Sequence, residues 1–303
     1  MKCNYIEDLE RSSISEIHNY GNNNILPKAS VVIVTYNTDK DLLSQNLKSL
    51  KEQTIKDFEI LVVDNSDKVN LREIVSKYNL KYLRLEKNYG PMLARNVGIK
   101  YSNGDIIIFL DDDAIPAGNF VEQHIRAYDE NNILGLRGKV LPRTYSIYNY
   151  FASHYDLGNQ PITCPINIEG NSSFKRTVLF EVGGFNPKLL KVLGHEGIEL
   201  TYRIICKYKD KSKLIYWPCA TIYHNYANTF IKYLRKSLRH AGNADMLKTQ
   251  YPGIFKFFQQ YNLNPNNKKN KTLNLIDKIR LKVIIGFVLL ILRTRNLIYK
   301  YNK

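Results

Sequence analysis

From Ser30 to about residue 140, the chain alternates short apolar runs with segments in which apolar residues recur at helical spacing. A short, uninterrupted apolar run is typical of a strand that is buried on both faces, and the recurring spacing is typical of a helix packed on a sheet. The runs lie at 31–34, 60–63, 82–85 and 106–110, with helical patterns at 43–50 and 92–101. Strands that alternate with helices predict an α/β fold with a mainly parallel sheet and helices on both faces.

Three of the predicted strands end in polar residues. The groups that follow the first, second and fourth runs are Thr35-Tyr36-Asn37, Asp64-Asn65-Ser66 and Asp111-Asp112-Asp113. Because the carboxyl ends of parallel strands open at one edge of a sheet, these side chains predict a binding cleft there. Three adjacent carboxylates repel one another unless a cation or water separates them, and Mg²⁺ and Mn²⁺ both bind carboxylate oxygen. We therefore expect a metal site at the aspartates, with a solvated acidic turn as the alternative.

The composition is that of a globular protein, and the charge is concentrated at one end. Hydrophobic residues make up 44% of the 303 residues, which argues against a disordered chain. The formal net charge is +16, and residues 268–303 contain ten Lys or Arg against one acid, Asp277. This excess predicts that the C-terminal end meets an anionic surface. Its confinement to a short, apolar-centred tail argues against nucleic acid as the partner.

The C-terminal end contains an apolar stretch at 283–292, interrupted only by Gly286 and flanked by basic residues. A spanning helix needs about 20 apolar residues, so this stretch predicts a helix that lies in a membrane interface. The alternative is a helix that packs in the core or in an oligomer contact. In the second case the protein would be a homodimer. Residues 1–28 are polar and contain no secretory signal, so we expect a cytoplasmic protein that attaches peripherally to the inner face of the cell membrane.

From about residue 30 to residue 252, the chain resembles the inverting family-2 glycosyltransferases. The likeness includes VVIVTYNTDKDLLSQNLKSLKEQT, FEILVVDNSD and LEKNYGPMLARNVGIKYSNGDIIIFLDDDAIP, which ends in a DxD motif. Later matches are EGNSSFKRTVLFEVGGFNPKL, GHEGIELTYRI and YWPCATIYHNY. The resemblance implies the GT-A type of α/β fold, with a Rossmann-like, mainly parallel sheet flanked by helices, to which this chain adds a basic and apolar helical tail. It also implies a nucleotide-sugar donor, typically a UDP-sugar.

The resemblance implies nucleotide-binding roles for residues at the strand ends. Asp64 would accept a hydrogen bond from the base, and an acceptor-only carboxylate suits the imide N–H of uracil. Arg95 would lie near the phosphates, Asp111 near the ribose, and Asp112 beside it. The residues that would border the nucleotide are Thr35, Tyr36 and Asn37. The alternatives are a strand-end turn or helix cap for Asp64 and a position on a helix surface for Arg95.

The resemblance also implies a metal site and an acceptor side. Asp113 and His224 would bind the metal, either Mn²⁺ or Mg²⁺, and the imidazole favours Mn²⁺. A structural role for a lone histidine at a strand end is the alternative for His224. The acceptor side would include Gly170, Asn171 and Trp217.

The catalytic base departs from the family pattern. Aligning Glu199 and Arg203 with the family's glutamate-aspartate motif places Glu196 on the glutamate and Gly197 where the aspartate usually stands. We expect Glu196 to remove the acceptor's proton, provided that the loop turns at Gly194 or Gly197. The alternative is that Glu196 or Glu199 supports Arg203 through an ion pair.

These patterns predict an N-terminal extension at 1–28, a GT-A domain at 29–255 and a basic, amphipathic, membrane-associating tail at 256–303. The domain would consist of a nucleotide-binding half at 29–140 and an acceptor-side half at 141–255. The expected activity is metal-dependent hexosyl or N-acetylhexosaminyl transfer to a hydroxyl of a lipid-linked or cell-surface glycan. A processive synthase is disfavoured because the sequence lacks a QxxRW motif and several spanning helices. The alternative is a non-catalytic scaffold that binds nucleotide sugars or glycans.

Overall fold

The computed structural model describes residues 4–7, 9, 13–21, 26–189, 196–261 and 274–301. In these ranges the strands are β1 (Ile14–Asn19), β2 (Ala29–Thr35), β3 (Phe58–Asp64), β4 (Lys81–Leu85), β5 (Ile106–Asp111), β6 (Ile115–Pro116), β7 (Gly135–Leu141), β8 (Ile162–Thr163), β9 (Asn171–Lys175) and β10 (Leu214–Tyr223). The α-helices are α1 (Lys40–Lys51), α2 (Arg72–Val75), α3 (Pro91–Tyr101), α4 (Phe120–Glu130), α5 (Arg176–Val182), α6 (Glu196–Tyr208), α7 (Phe230–Gln250), α8 (Ile254–Phe258) and α9 (Leu275–Tyr301). Short 3-10 helices cover Ile147–Tyr155, Pro187–Leu189 and Lys211–Lys213.

The strands form one mixed sheet whose centre is parallel. Their order is β1-β4-β3-β2-β5-β9-β7-β10-β6, and β8 pairs with β10. Strands β4, β3, β2 and β5 are parallel, whereas β9 runs antiparallel between β5 and β7. The predicted α/β fold with a mainly parallel sheet flanked by helices is therefore confirmed, and the same sheet continues past residue 140.

The central strands bury side chains on both faces of the sheet, because successive residues of a strand point in opposite directions. Val32 and Phe109 pack on the face covered by α3, α5 and α6. Val31 and Ile108 pack on the opposite face, against α1 and α4. Each such side chain stabilises the fold by about 1.5–3 kcal/mol. The two packed layers hold the strand ends in place.

The strand register brings the polar strand ends together. Thr35 pairs with Asp64 across β2 and β3, and Val34 pairs with Asp111 across β2 and β5. On the other side of β5, Leu110 pairs with Asn171 at the start of β9. The antiparallel strand β9 therefore carries a segment of the second half of the chain to the edge where the aspartates emerge.

A capping residue and a proline mark the N-termini of two helices that border this edge of the sheet. Asp39 accepts hydrogen bonds from the first N–H groups of α1. Helix α3 starts at Pro91, a position where the missing N–H of proline is not needed. Helix α6 starts at Glu196. The turn predicted at Gly194 lies outside the described residues.

The predicted N-terminal extension contains a strand that the sequence pattern did not reveal. Residues Ile14–Asn19 form β1, which pairs antiparallel with β4 at the edge of the sheet. Its side chains alternate between partly buried and exposed positions. An edge strand tolerates polar residues because one edge and part of its face are solvated, which is why it lacks an apolar run.

The C-terminal tail forms the helix α9. Its side chains Leu281 and Val288 are 4% and 5% exposed, and Phe287 contacts Phe230 of α7 with ring centroids 5.8 Å apart. The opposite side of α9 exposes a series of large apolar side chains. Among the described helices, none combines the length and the apolar character that crossing a membrane requires.

Candidate active site

Two adjoining cavities open where β2, β3 and β5 end. The first cavity, about 420 Å³, is lined by Tyr36, Asn65, Asn88 and Asp112 among others. The second cavity, about 260 Å³, is lined by residues from the second half of the chain, including Tyr155, Glu196, His224 and Lys236. The residues that line both are Pro91, Arg95, Asp111 and Glu169. The first cavity is of the size that holds a small-molecule ligand, about 300–1,000 Å³.

Asp111, Asp113 and His224 form a cluster that could hold a metal ion. One ligand atom from each residue lies within 4.8 Å of the others, and Asp113 Oδ1 is 3.2 Å from His224 Nε2. Two ligands of one ion, each about 2.1–2.3 Å away, are at most about 4.6 Å apart. The two carboxylates and the imidazole therefore fit a divalent cation after a small adjustment. The structure brings the predicted ligands Asp113 and His224 together and adds Asp111.

The electrostatics of this cluster also favour a cation. Burial raises the pKa of Asp111, and burial together with the charge of Asp113 raises the pKa of Asp112 to about 7. Burial would also raise the pKa of Asp113, but its hydrogen bond to His224 reverses the direction and lowers it. The pKa of His224 is raised by Asp113 although burial opposes this. A divalent cation would relieve the repulsion among these carboxylates.

Gly170 lies against the carboxylate of Asp111. A Cβ atom at position 170 would lie 1.9 Å from Asp111 Oδ2, which is far inside van der Waals contact. The backbone N–H of Asp111 also donates to the carbonyl oxygen of Gly170, at 3.3 Å. Glycine at this position therefore allows β5 and the start of β9 to approach while Asp111 faces the second cavity.

The structure places two predicted acceptor-side residues away from both cavities. Asn171 is fully buried, and its Nδ2 donates to the carbonyl oxygens of Lys139 and Ala220. Trp217 is 8% exposed and packs in an apolar cluster with residues such as Leu136. Asn171 thus links its strand β9 to β7 and β10 through hydrogen bonds, and Trp217 belongs to the core. Neither residue lines either cavity, and their predicted contact with an acceptor stays a prediction.

The predicted nucleotide-bordering residues divide into exposed and buried ones. Tyr36 is 51% exposed and lines the first cavity. Asn37 has a positive φ of 49° and donates through Nδ2 to Asp67 Oδ1 at 2.9 Å. Thr35 is fully buried and donates to Asp64 Oδ1 at 3.3 Å. Tyr36 is therefore accessible to a nucleotide, whereas Thr35 lies beneath the floor of the cavity.

Asp64 is likewise buried, and both of its oxygens are engaged. Tyr82 Oη donates to Asp64 Oδ2 at 2.6 Å, and the backbone N–H of Ser66 donates to Oδ1 at 3.0 Å. Burial and the carboxylate of Asp64 raise the pKa of Tyr82. Asn65, the next residue, lines the first cavity. The role of Asp64 in binding the base stays a prediction, and its hydrogen bond to Ser66 matches the turn interpretation.

Arg95 and two glutamates form a buried charged group at the junction of the cavities. Arg95 Nη1 is 2.9 Å from Glu196 Oε1, and the two side chains are 12% and 6% exposed. Glu169 Oε1 accepts a hydrogen bond of 2.6 Å from the backbone N–H of Gly197. Burial and the charge of Glu196 raise the pKa of Glu169 to about 7. Arg95 is thus not a helix-surface residue, and it faces both cavities.

Glu199, rather than Glu196, supports Arg203. Arg203 Nε and Nη2 each lie 2.8 Å from a Glu199 oxygen, and Tyr251 Oη donates to Glu199 at 2.7 Å. Arg203 Nη1 and Nη2 also donate at 2.6 Å to the carbonyl oxygens of Val182 and Gly184. Within α6, Glu199 therefore has a structural role, while Glu196 faces the second cavity.

Several cavity residues were not identified from the sequence. Glu169 stands next to the predicted residue Gly170, which is the signal that could have indicated it. Asn65, by contrast, belongs to one of the polar groups from which the cleft was predicted. Lys236 belongs to a basic cluster on a segment with helical periodicity. This periodicity predicts the helix but does not show that α7 places Lys236 at the second cavity. Such distant pairings depend on the tertiary fold.

Comparisons with known proteins identify relatives of this chain. The family model described as "Glycosyl transferase family 2" matches residues 30–183. Chondroitin synthase of Escherichia coli is 32% identical over 144 residues, which cover 45% of this chain and 21% of that protein. The poly(ribitol-phosphate) beta-N-acetylglucosaminyltransferase TarS of Staphylococcus aureus is 30% identical over 178 residues, covering 54% of this chain and 30% of TarS. The chain spans less than two thirds of the length of the curated relatives it matches.

A solved structure with a similar fold is that of the mannosyltransferase PcManGT from Pyrobaculum calidifontis, in complex with GDP-Man and Mn²⁺. The TM-score is 0.59 at 18% sequence identity, over 78% of this chain and 69% of that one. At this identity the likeness concerns the fold, which is of the GT-A type.

Proposed function

Because this chain belongs to glycosyl transferase family 2, we propose that it is a glycosyltransferase that transfers a single hexosyl or N-acetylhexosaminyl group from a UDP-sugar to a hydroxyl of a lipid-linked or cell-surface glycan. The observation that carries the proposal is the cluster of Asp111, Asp113 and His224 beside the two cavities. The relatives include a chondroitin synthase and a poly(ribitol-phosphate) beta-N-acetylglucosaminyltransferase, and both names support a polymeric acceptor.

The proposed reaction is metal-dependent and inverts the anomeric centre. Asp111, Asp113 and His224 would hold Mn²⁺ or Mg²⁺, which supplies positive charge to a departing diphosphate. Arg95 lines the first cavity, where a guanidinium can pair with phosphate oxygens. A glutamate of the second cavity accepts the proton of the attacking hydroxyl, and the candidates are Glu196, which the family resemblance indicates, and Glu169. Positioning and charge stabilisation in a partly enclosed cleft would supply the rate enhancement.

A donor panel tests this function. We expect nucleoside diphosphate to be released from one or two of the common nucleotide sugars in the presence of Mn²⁺, and release to stop with a chelator. Release is measured with octyl glycosides as acceptors and with water alone, to separate transfer from hydrolysis. Binding of a donor without release under any of these conditions would favour the non-catalytic scaffold.

The tail helix supports attachment to an anionic membrane. Its exposed apolar side chains are Leu275, Ile276, Ile279, Val283, Ile285, Phe287, Leu289 and Leu290. Lys278, Arg280 and Lys282 lie among them in the sequence, and each basic residue near an anionic surface contributes about 1 kcal/mol. We propose that α9 lies in the interface of the inner face of the cell membrane, which would place the cavities close to a lipid-linked acceptor.

Replacing two exposed apolar residues of α9 tests the attachment. We expect Ile279→Gln combined with Val283→Gln to weaken binding to phosphatidylglycerol vesicles by about 100-fold or more, because the two residues would together lose apolar burial worth about 3 kcal/mol or more. Vesicle co-sedimentation measures this, with Ile17→Gln, an exposed residue of β1, as the matched control. Unchanged vesicle binding together with a loss of dimer mass in light scattering would instead identify this face as a homodimer contact.

A further inference from the structure

The carboxylate of Glu169 lies in the space that a side chain on Gly197 would have to enter. Glu169 Oε1 lies 2.6 Å from the backbone nitrogen of Gly197, whose N–H donates to it. A Cβ atom on residue 197 would lie 2.6 Å from the same oxygen and 2.8 Å from the carbonyl oxygen of Ile166. The carboxylate of Glu169 therefore fills the volume that a side chain at position 197 would need. A side chain at position 197 would thus displace the carboxylate of Glu169.

The two glutamates of the second cavity differ in what they contact. Glu169 lines both cavities, whereas Glu196 lines the second cavity only. Glu196 is 5% exposed, and its Oε1 is bound by Arg95 at 2.9 Å. Glu169 is partly exposed and is held at Oε1 by an uncharged backbone donor. Glu169 is thus the better placed of the two to meet a hydroxyl that approaches a sugar at the junction of the cavities.

We propose that Glu169 is the general base of the transfer and that Glu196 is a positioning residue that holds Arg95, an inference that rests on the proposed function. The acceptor oxygen forms a bond to the anomeric carbon while the bond from that carbon to the diphosphate oxygen breaks. The electron pair of the broken bond leaves with the diphosphate. The hydroxyl proton passes to the carboxylate of Glu169, which becomes neutral and then releases the proton to water.

The charges around Glu169 suit this role. Its pKa is raised to about 7 by burial and by the charge of Glu196, while Arg95 and the N–H of Gly197 oppose the rise. A base with a pKa close to the working pH accepts a proton efficiently and can release it again. The other titratable or charged groups of the second cavity are Asp111, His154, Tyr155, His224, Tyr226 and Lys236, and the first cavity adds Tyr36 and Asp112.

The test moves the carboxylate from position 169 to position 197. We expect Glu169→Ala to lower kcat by about 100-fold, the effect of removing a general base, with donor affinity in calorimetry unchanged. Adding Gly197→Asp to Glu169→Ala should raise kcat at least about tenfold above that of Glu169→Ala alone. The reason is that the new aspartate side chain enters the space that Glu169 has vacated. Gly197→Asp alone should be impaired, since it collides with Glu169. The matched control is Glu73→Ala on α2, whose side chain is 86% exposed.

Two further readouts separate a base from a structural residue. Excess formate should partly restore Glu169→Ala but not Glu196→Gln, because formate can occupy the place of the missing carboxylate. In the unaltered protein, kcat should fall as the pH drops below about 7, since a protonated Glu169 cannot accept a proton. This fall in kcat at low pH should be absent in Glu169→Ala.

The outcomes distinguish this inference from the proposed function. An unaltered protein that releases nucleoside diphosphate from no donor overturns the proposed function itself. An active protein in which Glu169→Ala keeps its turnover overturns only the assignment of Glu169. Loss of turnover in Glu169→Ala that neither Gly197→Asp nor formate repairs also overturns it, and formate rescue of Glu196→Gln would transfer the role to Glu196.

Discussion

Asp113→Asn is expected to lower kcat for nucleoside diphosphate release by about 1,000-fold, the order of effect of removing a preorganised charge-stabilising group. The substitution keeps the shape of the side chain but removes the negative charge that faces His224 at 3.2 Å. With one anionic ligand fewer, the cluster should also bind Mn²⁺ more weakly. Nucleoside diphosphate release at saturating donor and titration of Mn²⁺ by calorimetry measure the two effects.

A control substitution and a range of Mn²⁺ concentrations test this prediction. Asp129→Asn, on the exposed side of α4, changes the same charge away from the cavities and should leave kcat unchanged. Raising the Mn²⁺ concentration should recover part of the activity of Asp113→Asn if its deficit lies in metal affinity. Full activity of this variant, or release that a chelator does not affect, would show that the transfer does not depend on a metal held by Asp113.

Arg95→Met is expected to lower the free energy of unfolding by about 3–5 kcal/mol, the usual cost of removing one partner of a buried ion pair. Arg95 and Glu196 are 12% and 6% exposed in their side chains, so the remaining carboxylate would be buried without a counter-charge and next to Glu169. Methionine preserves much of the apolar stem that packs near Phe185, whose ring centroid is 5.4 Å from the guanidinium. Urea denaturation measures the change.

An exposed ion pair provides the comparison. Arg126→Met breaks the pair between Arg126 and Glu130, whose side chains are 58% and 42% exposed, and should leave the free energy of unfolding nearly unchanged. Combining Arg95→Met with Glu196→Gln should recover part of the lost stability, since the unpaired charge is then removed as well. Equal losses at Arg95 and Arg126, or no recovery in the double variant, would contradict a buried pair at the junction of the cavities.

Local patterns along the chain were the most informative part of the sequence. The alternation of apolar runs and helical spacing predicted the central strands, because burial on both faces of a sheet leaves no room for polar residues at 31–34 or 106–110. It failed for Ile14–Asn19, because an edge strand carries no such run. Asn171 and Trp217 lie within the packed sheet, since a residue near a motif can serve packing as readily as binding.

The family resemblance extended the analysis to residues that are distant in sequence. It paired Asp113 with His224, which the structure places within hydrogen-bonding distance. It did not indicate Glu169, because the family pattern directs attention to position 197, where this chain has glycine. The close approach of Glu169 Oε1 to Gly197 is visible only once β9 and α6 are packed together.

The amino-acid sequence by itself determined the α/β fold, the cluster of three carboxylates at a strand end and the basic, apolar tail. Each of these depends on interactions within a few residues, namely burial of a run, repulsion among neighbouring charges, and the periodicity of one helix. Only the tertiary structure decided which carboxylates share the junction of the two cavities and which are bound to arginine. Those relations depend on strand order and on the packing of α3 and α6 at the sheet edge, which bring Arg95, Glu169 and Glu196 together from three separate segments.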